Sequence, residues 1–141
     1  MIANDAVTVT TVVRVDPAAA FHIFTEEIDA WWKRGPGYRS ADGAMRFESG
    51  RLLEGGEPIG RVLAWEPGAR LLLEWSTWSF RPGERTEVEV RFEAVGDGTR
   101  VTVEHRGWES RGSGAGVFRT VVGLWWGAML PGYVAHTGRT S

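Results

Sequence analysis

Residues 116–138, GVFRTVVGLWWGAMLPGYVAHTG, are the longest apolar segment of the chain and constrain its fold more than any other stretch. On a 3.6-residue wheel Phe118, Val122, Trp125, Met129 and Tyr133 share one stripe, with Val121 and Trp126 on its flanks, which is the spacing of a core-facing helix. The other side carries Thr120, Gly123 and Gly127 among Leu124, Leu130 and Val134, with no charge. A helix this apolar all round has to be covered on more than one side. A membrane span is the weakest explanation, because Arg119 leaves only residues 120–135 free of charge, short of the ~20 that a bilayer core needs. Gly123 and Gly127 would let another backbone approach closely, or are simply tolerated at ~1 kcal/mol each relative to Ala. Pro131 removes one donor and crowds the carbonyl of Gly127, which predicts a bend or break there.

Everything before Arg106 reads as short elements that need something to wrap. In VTVTTVVRV, residues 7–15, Val7, Val9, Thr11, Val13 and Val15 share one side of a β-branched strand. Asp16 then suits an N-cap and Pro17 the first helical position, where its missing donor costs nothing. Phe21, Phe24, Ile28 and Trp31 or Trp32 follow at helical spacing, so a helix, or a pair broken near Thr25, ends before Gly35-Pro36-Gly37. Glu26, Glu27 and Asp29 read as its solvated face. Six strands are expected at residues 44–49, 51–54, 59–65, 70–77, 86–95 and 99–106, separated by turn residues such as Gly55-Gly56, Pro67-Gly68, Pro82-Gly83 and Gly96-Asp97-Gly98. In TEVEVRFEAV, Val88, Val90 and Phe92 alternate with Glu87, Glu89, Arg91 and Glu93, the mark of an antiparallel sheet with one wet face. The next strand places Val101, Val103 and His105 on the inner face and Thr102 and Glu104 outside. Residues 59–65 are partly apolar on both faces and leave the inward parity open, and with it the direction of Arg46 and Arg61.

The order is strand, helix or helix pair, six strands and a long final helix, which at 141 residues fits a single domain spanning 1–141. The fold class is α+β: a curved antiparallel sheet of about seven strands wrapped round the C-terminal helix. Such a sheet and one helix do not close completely on each other, so an apolar cavity is expected between them. With 16 basic and 18 acidic side chains, interleaved and netting −2, neither nucleic acid nor an anionic membrane is an expected partner. The absence of cysteine excludes disulfides, thiolate metal sites and a cysteine nucleophile, and fits a cytoplasmic location. The first ten residues show no secretory signal.

These segments carry a resemblance. Gly60-Arg61-Val62-Leu63-Ala64-Trp65-Glu66-Pro67, Arg70-Leu71, Trp75, Glu87-Val88-Glu89-Val90-Arg91-Phe92, Gly98-Thr99-Arg100-Val101 and Glu104-His105-Arg106-Gly107-Trp108 resemble the family of homologues of the activator of the 90-kDa heat-shock-protein ATPase. The early helix with its Trp31-Trp32 pair matches as well. The resemblance implies the helix-grip fold of the START-like (SRPBCC) superfamily, whose members include lipid carriers and polyketide cyclases. It also implies a chaperone partner, although the separate N-terminal domain of the eukaryotic activator has no counterpart in these 141 residues.

Chemistry has little to rest on. His22, His105 and His136 lie in three elements with no HxxxH or HExxH spacing, so no metal site and no cofactor are expected. There is no G-x-S-x-G elbow, and the Gly/Ser run at 112–116 lacks the lysine of a phosphate loop and reads as a joint before the helix. Eight tryptophans, at 31, 32, 65, 75, 78, 108, 125 and 126, supply a large aromatic core, with some left to line the cavity. The sequence therefore points to a cytosolic binding protein for a hydrophobic or aromatic small molecule. Its candidate cavity residues are Trp32, Tyr38, Met45, Phe47, Trp75 and Val90 from the early helix and sheet. His105 completes the sheet wall, and Phe118, Val122, Trp125 and Met129 come from the final helix. The alternatives are a cyclase- or dehydratase-like enzyme in which His105 moves a proton, and a non-catalytic interaction or co-chaperone-like protein. A homodimer through the outer face of the final helix would cover its apolar side.

Overall fold

The computed structural model describes residues 6–33, 43–75, 85–107 and 115–140, with side chains of the last helix described over 120–139. Strand β1, Val7–Val13, alternates exposed and half-buried residues and ends on the buried Val13. Asp16 then caps helix α1, Pro17–Thr25, its Oδ1 accepting from the Ala19 amide at 2.8 Å, with Pro17 at the start. Phe21, Ile23 and Phe24 are buried, as the spacing predicts. Thr25 ends this helix by turning its hydroxyl back onto the Phe21 carbonyl at 2.7 Å. Helix α2, Ile28–Trp31, follows after Glu26 and Glu27. The Trp31 indole donates to the Ile23 carbonyl at 3.1 Å, which docks α2 on the end of α1.

Strands β2 (Met45–Glu48), β3 (Arg51–Glu54), β4 (Glu57–Glu66), β5 (Arg70–Trp75), β6 (Thr86–Val95) and β7 (Gly98–Arg106) complete an antiparallel sheet of order β1-β7-β6-β5-β4-β3-β2. The β6–β7 hairpin pairs Val95 with Gly98, so the register brings Val88 opposite His105. Gly98 is required by close approach, since a Cβ there would lie 2.3 Å from the Val13 carbonyl oxygen.

The parity left open at 59–65 is resolved by a bulge. Gly60 and Val62 oppose the buried Trp75 and Leu73, the register shifts between Val62 and Ala64, and Trp65 then opposes the buried Leu71. Leu63 is the extra residue and is exposed, so one strand presents both parities inward in turn. Arg46 and Arg61 lie outside, beside Glu48 and Glu74.

Helix α3, Ala115–Thr140, runs continuously through Pro131, so the expected break does not occur. Pro131 and Gly127 are both exposed, leaving water able to take the carbonyl that loses its helical donor. The buried stripe is also rotated from the one the wheel predicts. Trp126, Met129, Leu130, Tyr133 and Thr137 are buried, whereas Val122 and Trp125 are only half-buried and Val121 is exposed. The rotation follows from α3 having neighbours on two sides, β1 and the α1–α2 pair. Gly123 packs on Val7, where a Cβ would meet its Cγ1 at 3.3 Å, and Leu130 is covered, so neither waits for an outside partner. On the other side three side chains one turn apart tie α3 to the early helices. Met129 Sδ accepts from the Lys33 amide at 3.2 Å, Tyr133 donates to the Ala20 carbonyl at 2.8 Å, and His136 meets Glu27 at 2.8 Å.

Among the described residues no helix is long and apolar enough to cross a membrane.

Candidate functional site

The space between the sheet and α3 is built from aromatic rings. Trp32 leaves the end of α2 and stacks on Trp75 of β5, with centroids 6.0 Å apart and planes 25° apart. Trp125 meets Trp32 edge-on at 5.4 Å, and Trp126 meets Trp125 at 4.9 Å. Trp32, Trp75 and Trp126 are buried while Trp125 reaches the surface. Edge-to-face and offset pairs of this kind gain about 0.5–1.5 kcal/mol each beyond their burial. The Trp31 ring, 5.7 Å from Trp32, joins this group to a second one made of Phe24, Tyr133, Phe21 and Phe92.

His105 lies at the floor of the first group, 2% exposed. Trp126 Nε1 donates to its Nδ1 at 3.2 Å. An indole N–H only donates, so Nδ1 accepts and the imidazole proton resides on Nε2, 2.7 Å from Thr86 Oγ1. The Thr86 hydroxyl then donates onward to the Trp75 carbonyl at 3.4 Å. Burial pushes the His105 pKa down to about 3, which keeps the ring neutral. A protonated Nδ1 would also face the indole donor with no acceptor to offer. The arrangement orients aromatic rings; it does not leave a nitrogen open toward a substrate among the described contacts.

The wet face of the sheet holds an ion network that simple alternation does not foresee. Glu89 points outward yet is 9% exposed, covered by Arg70, Arg91 and Arg106. Burial alone would raise its carboxyl, but hydrogen bonds from Arg70 and Arg106 and the charges of Arg106 and Arg91 outweigh this and hold it at about 2. Arg106 reaches Glu87 and Glu104 as well, at 3.2 and 2.6 Å.

The sequence-derived residues therefore divide. Trp32, Trp75, His105 and Trp125 come together in ring contact. Met45, Val90 and Met129 are buried in the core, and Val122 is half-buried on α3. Phe47 joins a different group, its ring 5.4 Å from Trp65. Tyr38, Trp78, Trp108, the turns at 35–37 and 82–83 and the joint at 112–114 lie outside the described residues, as does the side chain of Phe118. Thr86 and Trp126, the two hydrogen-bond partners of His105, are not among the cavity residues that the sequence suggests. The signal for Thr86 is parity, because it shares the face of Val88 on β6. Among the described residues no cluster of His, Asp and Glu is arranged to hold a metal.

A family model described as Activator of Hsp90 ATPase homolog 1-like protein matches residues 14–132. No curated protein matches the sequence. Among solved structures, the self-sacrificing resistance protein CalC from Micromonospora echinospora is 24% identical with a TM-score of 0.66, over 96% of this chain and 96% of that one. Protein NE0264 from Nitrosomonas europaea is 13% identical with a TM-score of 0.72, again over 96% of each chain. The Aha1 dimer from Colwellia psychrerythraea is 15% identical with a TM-score of 0.62, over 95% of this chain and 94% of that one. At these identities the likeness is one of fold.

Proposed function

The chain belongs to the family of Activator of Hsp90 ATPase homolog 1-like proteins, and within that family we propose that it is a cytosolic binding protein for a hydrophobic or aromatic small molecule. The observation that carries this reading is the Trp32–Trp75–Trp125 group between sheet and α3, in which Trp125 alone reaches solvent over two buried rings. A planar apolar ligand laid against Trp125 would extend that stack. Binding is favoured over proton transfer because both nitrogens of His105 are engaged and its basicity is suppressed. The test is quenching of tryptophan emission across a lipid and polyketide panel, with mass analysis of solvent extracts of the purified protein. A saturable ligand lost in Trp125→Ala supports the reading; no quenching and no stoichiometric extract sinks it.

A homodimer is the second reading, favoured by an open groove of about 450 Å³ between β1 and α3, lined by Val9, Thr11, Gly127, Pro131 and Val134. The far edge of β1 pairs with no described strand, and Leu124 on α3 is 73% exposed. A fold neighbour is itself described as a dimer. Light scattering reporting the monomer mass would remove this reading.

A further inference from the structure

A second concave site lies apart from the tryptophan stack, at the opposite end of the inner face. It is an open groove of about 280 Å³ between the α1–α2 turn, the β2–β3 hairpin and β4. Phe47 and Trp65 supply aromatic surface, Glu26 supplies a carboxylate, and Glu48 and Ser49 lie on the rim. Trp65 is 38% exposed, high for a ring at an inward position. It is clamped edge-to-face by Phe21 at 5.2 Å and Phe47 at 5.4 Å, so the indole is held while part of it stays open.

No described residue donates to the Glu26 carboxylate. Glu48 meets Arg46 at 2.8 Å, but both side chains are more than half exposed, and such a pair exchanges readily with water or another cation. Ser49 at φ 53° and Gly50 at φ 76° form the two-residue turn of the β2–β3 hairpin, which requires positive φ at both positions.

Aromatic surface beside the Glu26 carboxylate, which has no described cationic partner, selects its ligand by charge. An anion is repelled, and a neutral apolar molecule would strip water from the Glu26 carboxylate without compensation. A divalent metal needs several converging oxygens, and no such cluster exists among the described residues. A soft organic cation satisfies both features at once, its charge attracted to the ring and the carboxylate and its carbon groups lying on Phe47 and Trp65. We propose that the groove between Trp65, Phe47 and Glu26 binds a small organic ammonium ion.

The test uses the full ¹⁵N-labelled chain and the indole N–H resonances of its tryptophans, Trp65 being identified by the signal lost in Trp65→Phe. Choline and n-butylammonium are titrated beside 3,3-dimethylbutan-1-ol, the uncharged carbon analogue of choline. Both cations should shift the Trp65 signal saturably, with a dissociation constant on the order of 1 mM for an exposed cation–π site, while the alcohol leaves it in place. Glu26→Gln, at an exposed position with no described side-chain partner, should keep the thermal midpoint and weaken both cations by about fivefold or more. Equal shifts with the alcohol, no shift up to roughly 50 mM cation, or unchanged affinity in Glu26→Gln would each overturn the proposal.

Discussion

His105 stands where parity alone would put an acid–base group, and its neighbours decide otherwise. In the unfolded chain its pKa is near 6.5 and in the fold it is about 3. The unfolded state therefore binds the extra proton between these values, and stability present above pH 6.5 is lost as pH falls toward 3. One such proton contributes a slope of about 1.4 kcal/mol per pH unit. Urea melts of the native chain and of His105→Gln, compared from pH 6.5 to 4.5, should differ by up to that slope; parallel profiles would place the acid sensitivity elsewhere. Glu89 adds a lower window of the same sign, since its folded pKa of about 2 lies below the unfolded 4.5 and its stabilisation is lost as pH falls from 4.5 to 2. Trp126→Phe leaves His105 Nδ1 without its donor in a buried site and should cost about 1–3 kcal/mol beyond any change in packing, read as a lower urea midpoint. Gly98→Ala forces a Cβ against the Val13 carbonyl oxygen and should cost about 1–3 kcal/mol, because two backbones have to separate.

At the scale of elements, the broken helix pair, the seven strands and their turns follow from local signals. Asp16-Pro17 starts α1, Thr25 stops it, and Gly96-Asp97 sets the register that pairs Val88 with His105. The element that sequence misplaces is α3, by rotation rather than by extent. A wheel ranks residues by hydrophobicity, and on a helix apolar all round that ranking has little contrast; contact with β1 on one side and α1–α2 on the other selects Trp126 and Leu130 over Trp125 and Val121. The continuous path through Pro131 gives a prediction at this scale. Pro131→Ala restores the donor to the Gly127 carbonyl at an exposed position and should raise stability, by up to about 3 kcal/mol, seen as a higher urea midpoint at unchanged m-value.

For the whole molecule the question is which surfaces of the packed inner face meet a partner. Trp125→Ala removes a half-buried ring from the edge of the stack, so it should weaken an aromatic ligand about tenfold or more while lowering stability less than the loss of buried Trp126. Thermal melts and quenching titrations on both variants separate these effects. Leu124→Glu should leave the thermal midpoint nearly unchanged, since Leu124 is 73% exposed, and should shift any dimer toward monomer in light scattering. The sequence by itself determined the element order, the inward set Val88, Val90, Val101, Val103 and His105, and an aromatic interior, because alternation, caps and turn residues act over a few positions. Only the tertiary structure decided which face of α3 is buried, which parity 59–65 takes through its bulge, and that His105 is held neutral between Trp126 and Thr86. Those outcomes depend on contacts between different elements, such as Trp126 with His105 and Thr86 with His105, whose geometry no local pattern encodes.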